Sequence, residues 1–294
     1  MKLYTLKNEF YTMTVSGIGA EPISLKSPDG FEYLWQGASN GWNKQAPILF
    51  PLCGRLKDCK YTCQGKEYEM DLHGFLMFKE FTPVTVSDTR IVLECLSSEE
   101  TRAVYPFDFK VVAEYTLDGE DIHFDYNITN NSGTTMPYMF GWHPAFNLPT
   151  DKGQDINDYE INFGELDSVI WEPLAPVGSI LPRTRVRREL ENHSYKLCET
   201  EIYEQDTMIF REHNCAVTLF AEGHPYKLSL EWSSNIPTLC VWKLPLHKEK
   251  FICIEPWATY PKDGVTDNDF DKRPMPRLEA GETERYSYTL KITK

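Results

Sequence analysis

No apolar run in the 294-residue chain is long enough to cross a bilayer as a helix; the longest candidate lies near APILFPLCG, residues 46–54. The opening MKLYTLKNEFYTMTVS holds one early lysine but no apolar leader core, so no export signal is expected and a cytoplasmic location is. Basic residues are scarce, 30 against 44 acidic, for a net charge of -14. A field of that sign repels a phosphate backbone and an anionic membrane surface, which argues against nucleic acid or membrane as partner. The eight cysteines, at 53, 59, 63, 95, 198, 215, 240 and 253, include no CxxC pair. Neither a zinc pattern nor a disulfide framework follows from their spacing, and reduced, mostly buried thiols are expected. Long helical periodicity is missing, and 19 prolines and 17 glycines oppose long helices. Without repeats, low-complexity segments or a linker, residues 1–294 read as a single domain.

Strand signals are abundant. In VVAEYTLDGEDIHFDYNIT two alternating runs flank Asp118-Gly119. Val111, Ala113, Tyr115 and Leu117 share one face, and Ile122, Phe124, Tyr126 and Ile128 share one face on the return, which predicts a hairpin. Tyr286, Tyr288, Leu290 and Ile292 alternate near the C-terminus, and YTMTVS, YKLSLEW and RIVLECL read as further strands. PDG at 28–30 and KDG at 262–264 are turn signals. With 41% apolar and 13% aromatic residues, the chain is expected to be all-β, a large antiparallel sandwich.

Of seven histidines, two stand out. His123 falls out of phase with its strand's apolar face, and His193, His213, His224 and His247 read as surface or loop histidines. His73, in DLHGFLMFKEF, precedes Gly74, which permits a positive φ or a close backbone approach. His143, in MFGWHPAFNLP, lies between Trp142 and Pro144. The following proline favours extended backbone there, so His143 is expected to end a strand or open a loop. Glu255, in FICIEPWATY, follows the apolar run 251–254 and is read as ending a strand, where a carboxylate is costly unless partnered. Arg55, in FPLCGRLKD, also follows an apolar run. From these residues alone, packing, a two-histidine-one-glutamate metal triad of His73, His143 and Glu255, and acid–base chemistry all stay open.

Taken together, GAEPISLKSPDGFEYLWQG, FPLCGRLKD, the HGF at 73–75, GWHPAFNLP and the IEPW at 254–257 resemble the aldose 1-epimerase (galactose mutarotase-like) family in order and spacing, over nearly the whole chain. Pro144-Ala145 and the short GRLKD depart from the galactose mutarotases proper, and the closer likeness is to mutarotase-like proteins linked to lactose operons. The resemblance implies a β-supersandwich holding a sugar, an aldohexose in the first instance, in an open cleft. It implies Glu255 as general base and His143 as general acid, with His73 and Arg55 binding the sugar and Asp206, in YEQDTMIF, gripping its hydroxyls. It implies no metal or organic cofactor. Trp142 and Trp257 are candidates for stacking on the sugar or for the core. Two other functions compete: a sugar-phosphate mutarotase, for which LPRTRVRREL offers Arg183, Arg185, Arg187 and Arg188, and a non-catalytic sugar-binding protein.

Overall fold

In the computed structural model, which describes residues 2–37, 42–148, 155–173, 185–198, 201, 207–211, 213–224, 226–244, 250–259 and 268–293, the alternating runs form the expected hairpin. Strand Phe109–Asp118 pairs antiparallel with Asp121–Asn130, Asp118 facing Asp121 across a two-residue turn. Gly119 takes φ +58 there, which glycine adopts at little cost. The predicted apolar faces of both strands, and that of Thr283–Thr293, which pairs with Asp121–Asn130, are buried.

These strands belong to a nine-stranded sheet. It runs from Ser194–Lys196 through Tyr159–Asn162, Ala216–Ala221, Lys227–Trp232, Thr283–Thr293, Asp121–Asn130, Phe109–Asp118 and Arg90–Leu96 to Thr82–Val86. An eight-stranded sheet runs from Val186–Glu189 through Ser168–Pro173, Thr207–Phe210, Thr238–Trp242, Phe251–Ala258 and Phe140–Trp142 to Ile48–Leu49, and Ala145–Asn147 also pairs with Phe251–Ala258. Ladders within both sheets are antiparallel. The α-helix of the described residues is one short element, Glu99–Val104, capped by Ser98. The PDG turn forms as expected, with Gly30 N–H donating to Ser27 O at 3.0 Å; KDG at 262–264 lies outside the described residues. Among the described residues no helix is long and apolar enough to cross a membrane.

Aromatic rings fill the space between the two sheets. Phe140 stacks on Tyr286, centroids 5.0 Å apart, and lies 5.1 Å from Tyr126. Trp142 contacts Phe124 at 4.4 Å and Tyr288 at 5.5 Å and is fully buried, so it serves the core rather than a ligand face. Of the cysteines, 53, 63, 95, 240 and 253 are buried and all eight are free thiols. Phe140→Ala is expected to cost about 3–5 kcal/mol, read as a lowered denaturation midpoint with an unchanged slope against urea.

Candidate active site

Glu255 owes its place to a strand buried on both faces. All eight residues of Phe251–Ala258 are buried, as expected for a strand covered on two sides. Side chains alternate across a strand. Ile252, Ile254 and Ala258 join the inter-sheet core, while Phe251 and Cys253 join a separate cluster with Trp35, Trp42, Trp242 and Leu244. Glu255 lies in phase with this second set. It does not end the strand, as the sequence suggested: the ladder continues, with Leu239 opposite Pro256 and Thr238 opposite Trp257. Proline is tolerated inside the sheet because of its neighbour on the other side. Ile254 N–H donates to Pro144 O there, and Pro256, two residues on, is not among the residues paired in the ladders toward Phe140–Trp142 and Ala145–Asn147.

That gap holds His143, at a strand end as Pro144 predicted. Its backbone N–H donates to Pro47 O at 3.0 Å, and Ala145 N–H donates to Gln45 O at 2.8 Å. Segment 44–46 is itself held by the buried Glu21, which accepts from Gln45 N–H at 2.8 Å and pairs with Lys44. Asn147 Nδ2 donates to the carbonyls of Glu32 and Leu34, both at 2.9 Å. The PAFN stretch thus ties two neighbouring loops to the strand beside Glu255.

His73 arrives on a tight loop. It has φ +64 and Gly74 has φ +74. A Cβ on Gly74 would lie 2.4 Å from Phe50 O, so the glycine meets both the close approach and the positive φ anticipated for it. His73 and Gly54 bond reciprocally: His73 N–H donates to Gly54 O, and Gly54 N–H donates to His73 Nδ1, each at 3.0 Å. With Nδ1 accepting, a neutral His73 carries its proton on Nε2.

The three predicted residues converge. His143 Nε2 lies 3.2 Å from Glu255 Oε2, with side-chain exposures of 6% and 1%. The His73 ring stands edge-on to His143 at 5.4 Å and 5.8 Å from Trp257. Trp42 stacks on His143 at 4.9 Å, and Trp242 meets it edge-on at 5.6 Å. Burial holds the His143 imidazole well below the ordinary histidine range, and His73 beside it pushes the same way. Burial thus disfavours the charged imidazolium in this pair. Gly141 is required next to it, since a Cβ there would fall 2.6 Å from the Trp257 ring.

Arg55 follows Gly54 on the strip that clasps His73, and its side chain is exposed. Asp206 and Arg183 lie outside the described residues, as does His247. His193 is exposed, whereas His213 and His224 are half-buried, against Trp232 at 5.1 Å and Tyr226 at 5.6 Å. Burial lowers His213 below the ordinary histidine range. The other arginines of LPRTRVRREL are engaged: Arg185 with the buried Glu172 at 2.6 Å, Arg187 with Ser168 at 2.6 Å, and Arg188 with Glu201 and over the Trp171 ring.

Sequence reasoning missed Trp42, Trp242 and Cys253. Cys253 was within reach, because it precedes Glu255 by two and so shares its face. The His73, His143 and Glu255 set left open as a metal triad is not the group whose ligand atoms cluster most closely. Among the described residues the cluster of metal-ligating type is His143, Cys253 and Glu255, its ligand atoms all within 4.8 Å of one another.

The family described as aldose 1-epimerase matches residues 2–291. The chain belongs to the aldose 1-epimerase family. It is 30% identical to the chromosomal protein LacX of Lactococcus lactis subsp. lactis over 98% of both chains, on the branch that its motifs indicated. A solved galactose mutarotase related enzyme from Lactobacillus acidophilus superposes with a TM-score of 0.91 at 26% identity, covering 100% of this chain and 98% of that one. A galactose mutarotase-like protein from Lactobacillus casei ATCC 334 gives 0.87 at 26% identity, covering 99% and 100%. The two-sheet architecture is thus the supersandwich of that family, and the His143–Glu255 contact lies in a family of isomerase type.

Gly74→Ala is expected to destabilise by about 1–3 kcal/mol from backbone conformation alone, with more from the clash at Phe50 O. Chemical denaturation checks it, with Gly133→Ala, which meets open space, as the control.

Proposed function

We propose that this aldose 1-epimerase family member interconverts the α and β anomers of a free aldose by opening and closing the sugar ring, using protein side chains alone. The observation that carries the reading is the buried contact of His143 Nε2 with Glu255 Oε2 at 3.2 Å. Mutarotation requires a base and an acid at two oxygens of one carbon, so the two groups must sit within a few ångströms of each other.

The protonated His143 gives its proton to the ring oxygen as Glu255 takes the proton of the C1 hydroxyl. The bond between C1 and the ring oxygen breaks, leaving an aldehyde at C1. Rotation about C1–C2 presents the other carbonyl face. The C5 hydroxyl attacks it, returning its proton to His143, while Glu255 reprotonates the former carbonyl oxygen. Atoms and charges balance over the cycle, and no electron transfer is involved. His73, whose Nδ1 accepts from Gly54 N–H, and Arg55 are suited to hold the sugar and to stabilise the ring oxygen as charge develops. Asp206 is the further candidate for a hydroxyl grip. Engagement of Arg185, Arg187 and Arg188 with Glu172, Ser168 and Glu201 favours a free aldose over a sugar phosphate.

Anomer exchange followed by NMR across a panel of free aldoses and glucose 6-phosphate tests this. Wild type is expected to accelerate at least one free aldohexose, and Glu255→Gln to lose about 10²–10⁴-fold. If no sugar exchanges faster than in buffer, the catalytic reading fails. If Glu255→Gln keeps full rate, the base is elsewhere.

The acid form of His143 is the minor one at neutral pH, because its folded pKa lies below the ordinary value of about 6.5. As pH falls, that form gains population, so kcat/KM is expected to rise from pH 8 into the acid range, and the rise should vanish in His143→Gln. Folding stability should move the opposite way. Below about 6.5 the unfolded chain binds a proton that the folded site resists, so stability falls with pH.

A further inference from the structure

Ring opening by His143 and Glu255, as proposed above, leaves Cys253 unused. This buried thiol projects from the same face of Phe251–Ala258 as Glu255, two residues away, and is fully shielded from solvent. Burial, and the carboxylate beside it, push the thiol well above its ordinary range. It is therefore a poor nucleophile in the metal-free protein. Its distance from the other two groups gives it a different capacity.

We infer that His143, Cys253 and Glu255 form an inhibitory site for a thiophilic divalent cation of the Zn2+ type. One imidazole nitrogen, one thiolate sulfur and one carboxylate oxygen are a ligand set that zinc takes in proteins. In a tetrahedral shell with bonds of about 2.0–2.3 Å, ligand atoms stand about 3.3–3.6 Å apart. Here His143 Nε2 and Glu255 Oε2 are already 3.2 Å apart, and Cys253 completes a set whose atoms all lie within 4.8 Å. Closing onto an ion asks for side-chain shifts on the order of 1 Å. The site sorts ions by softness: sulfur and imidazole favour Zn2+ and Co2+, whereas Mg2+ and Ca2+ require oxygen-rich shells.

Coordination breaks the Cys253 S–H bond, the proton leaves to solvent, and the thiolate, the neutral imidazole and the carboxylate each donate an electron pair to the ion. No oxidant or reductant is involved. Once coordinated, His143 Nε2 and Glu255 can neither give nor take a proton, so the ion blocks ring opening by holding the two groups that perform it. The binding site stands on geometry alone; its inhibitory effect rests on the mutarotase reading, and the two are separated by experiment.

The exposed Cys59 and Cys198 could bind metal adventitiously, so the starting protein carries Cys59→Ser and Cys198→Ser. Metal-free protein is titrated with Co2+ and, separately, with Zn2+. One equivalent of Co2+ is expected to give a thiolate-to-cobalt charge-transfer band in the near ultraviolet, bleached by Zn2+ and unaffected by Mg2+. Adding Cys253→Ser or Cys253→Ala should abolish the band and weaken Zn2+ binding at least tenfold by calorimetry; the two variants guard against misfolding of either. Absence of the band at one equivalent, or equal Zn2+ affinity after loss of Cys253, overturns the site. Stoichiometric zinc should slow anomer exchange in the starting protein but not in the Cys253 variants. Zinc that binds through Cys253 and leaves the exchange rate unchanged overturns the inhibition alone, and a protein that exchanges no sugar yet shows the band retains the site while losing the mutarotase reading.

Discussion

A carboxyl group in a strand buried on both faces is the constraint on which the rest of the site depends. Glu255 sits near the middle of Phe251–Ala258, a strand with no solvent-facing side. Removing a carboxylate from water is costly unless polar groups meet it. Much of the local architecture supplies and fixes them. The ladder beside Phe251–Ala258 is interrupted between Gly141 and Ala145, where His143 meets Glu255 at 3.2 Å and Pro256 stands outside the paired residues. Trp42 and Trp242 then cover the imidazole and exclude water from the pair. The same covering lowers the affinity of His143 for a proton, which makes a strong acid of it once protonated.

Support for this arrangement extends well beyond the residues that perform chemistry. Glu21 holds segment 44–46, which accepts the backbone N–H of Ala145. Asn147 anchors the loop at 32–34. His73 adopts a left-handed backbone that is stabilised by two bonds to Gly54 and by the fit of Gly74 against Phe50 O. Strained conformations persist where the surroundings over-determine them, and they concentrate where side-chain placement matters. Membership of the aldose 1-epimerase family extends over residues 2–291, which include every residue of this arrangement.

Strand content and facing were legible in the sequence wherever one face of a strand meets the core and the other meets water. Phe109–Asp118, Asp121–Asn130 and Thr283–Thr293 follow the alternation residue by residue, and Asp118-Gly119 marked the turn. Alternation disappears in Phe251–Ala258, since both faces are apolar. The run therefore gave no sign of where the strand stops, and Glu255 was read as its end although the ladder continues to Ala258. His213 and His224, read as surface or loop histidines, do lie in loops but pack half-buried, against Trp232 of strand Lys227–Trp232 and against neighbouring Tyr226.

By itself the sequence determined the all-β class, the faces of the long strands and, through motif order, the family and the candidate residues His73, His143, Glu255 and Arg55. These depend on local periodicity and short-range backbone rules, which act within a few residues. Only the tertiary structure decided that His143 touches Glu255, that Trp142 belongs to the core while Trp42 and Trp242 cover the site, and that Cys253 rather than His73 completes the metal-ligating cluster. Those outcomes are set by strand register and by contacts between segments up to about two hundred residues apart, for which local pattern carries no signal.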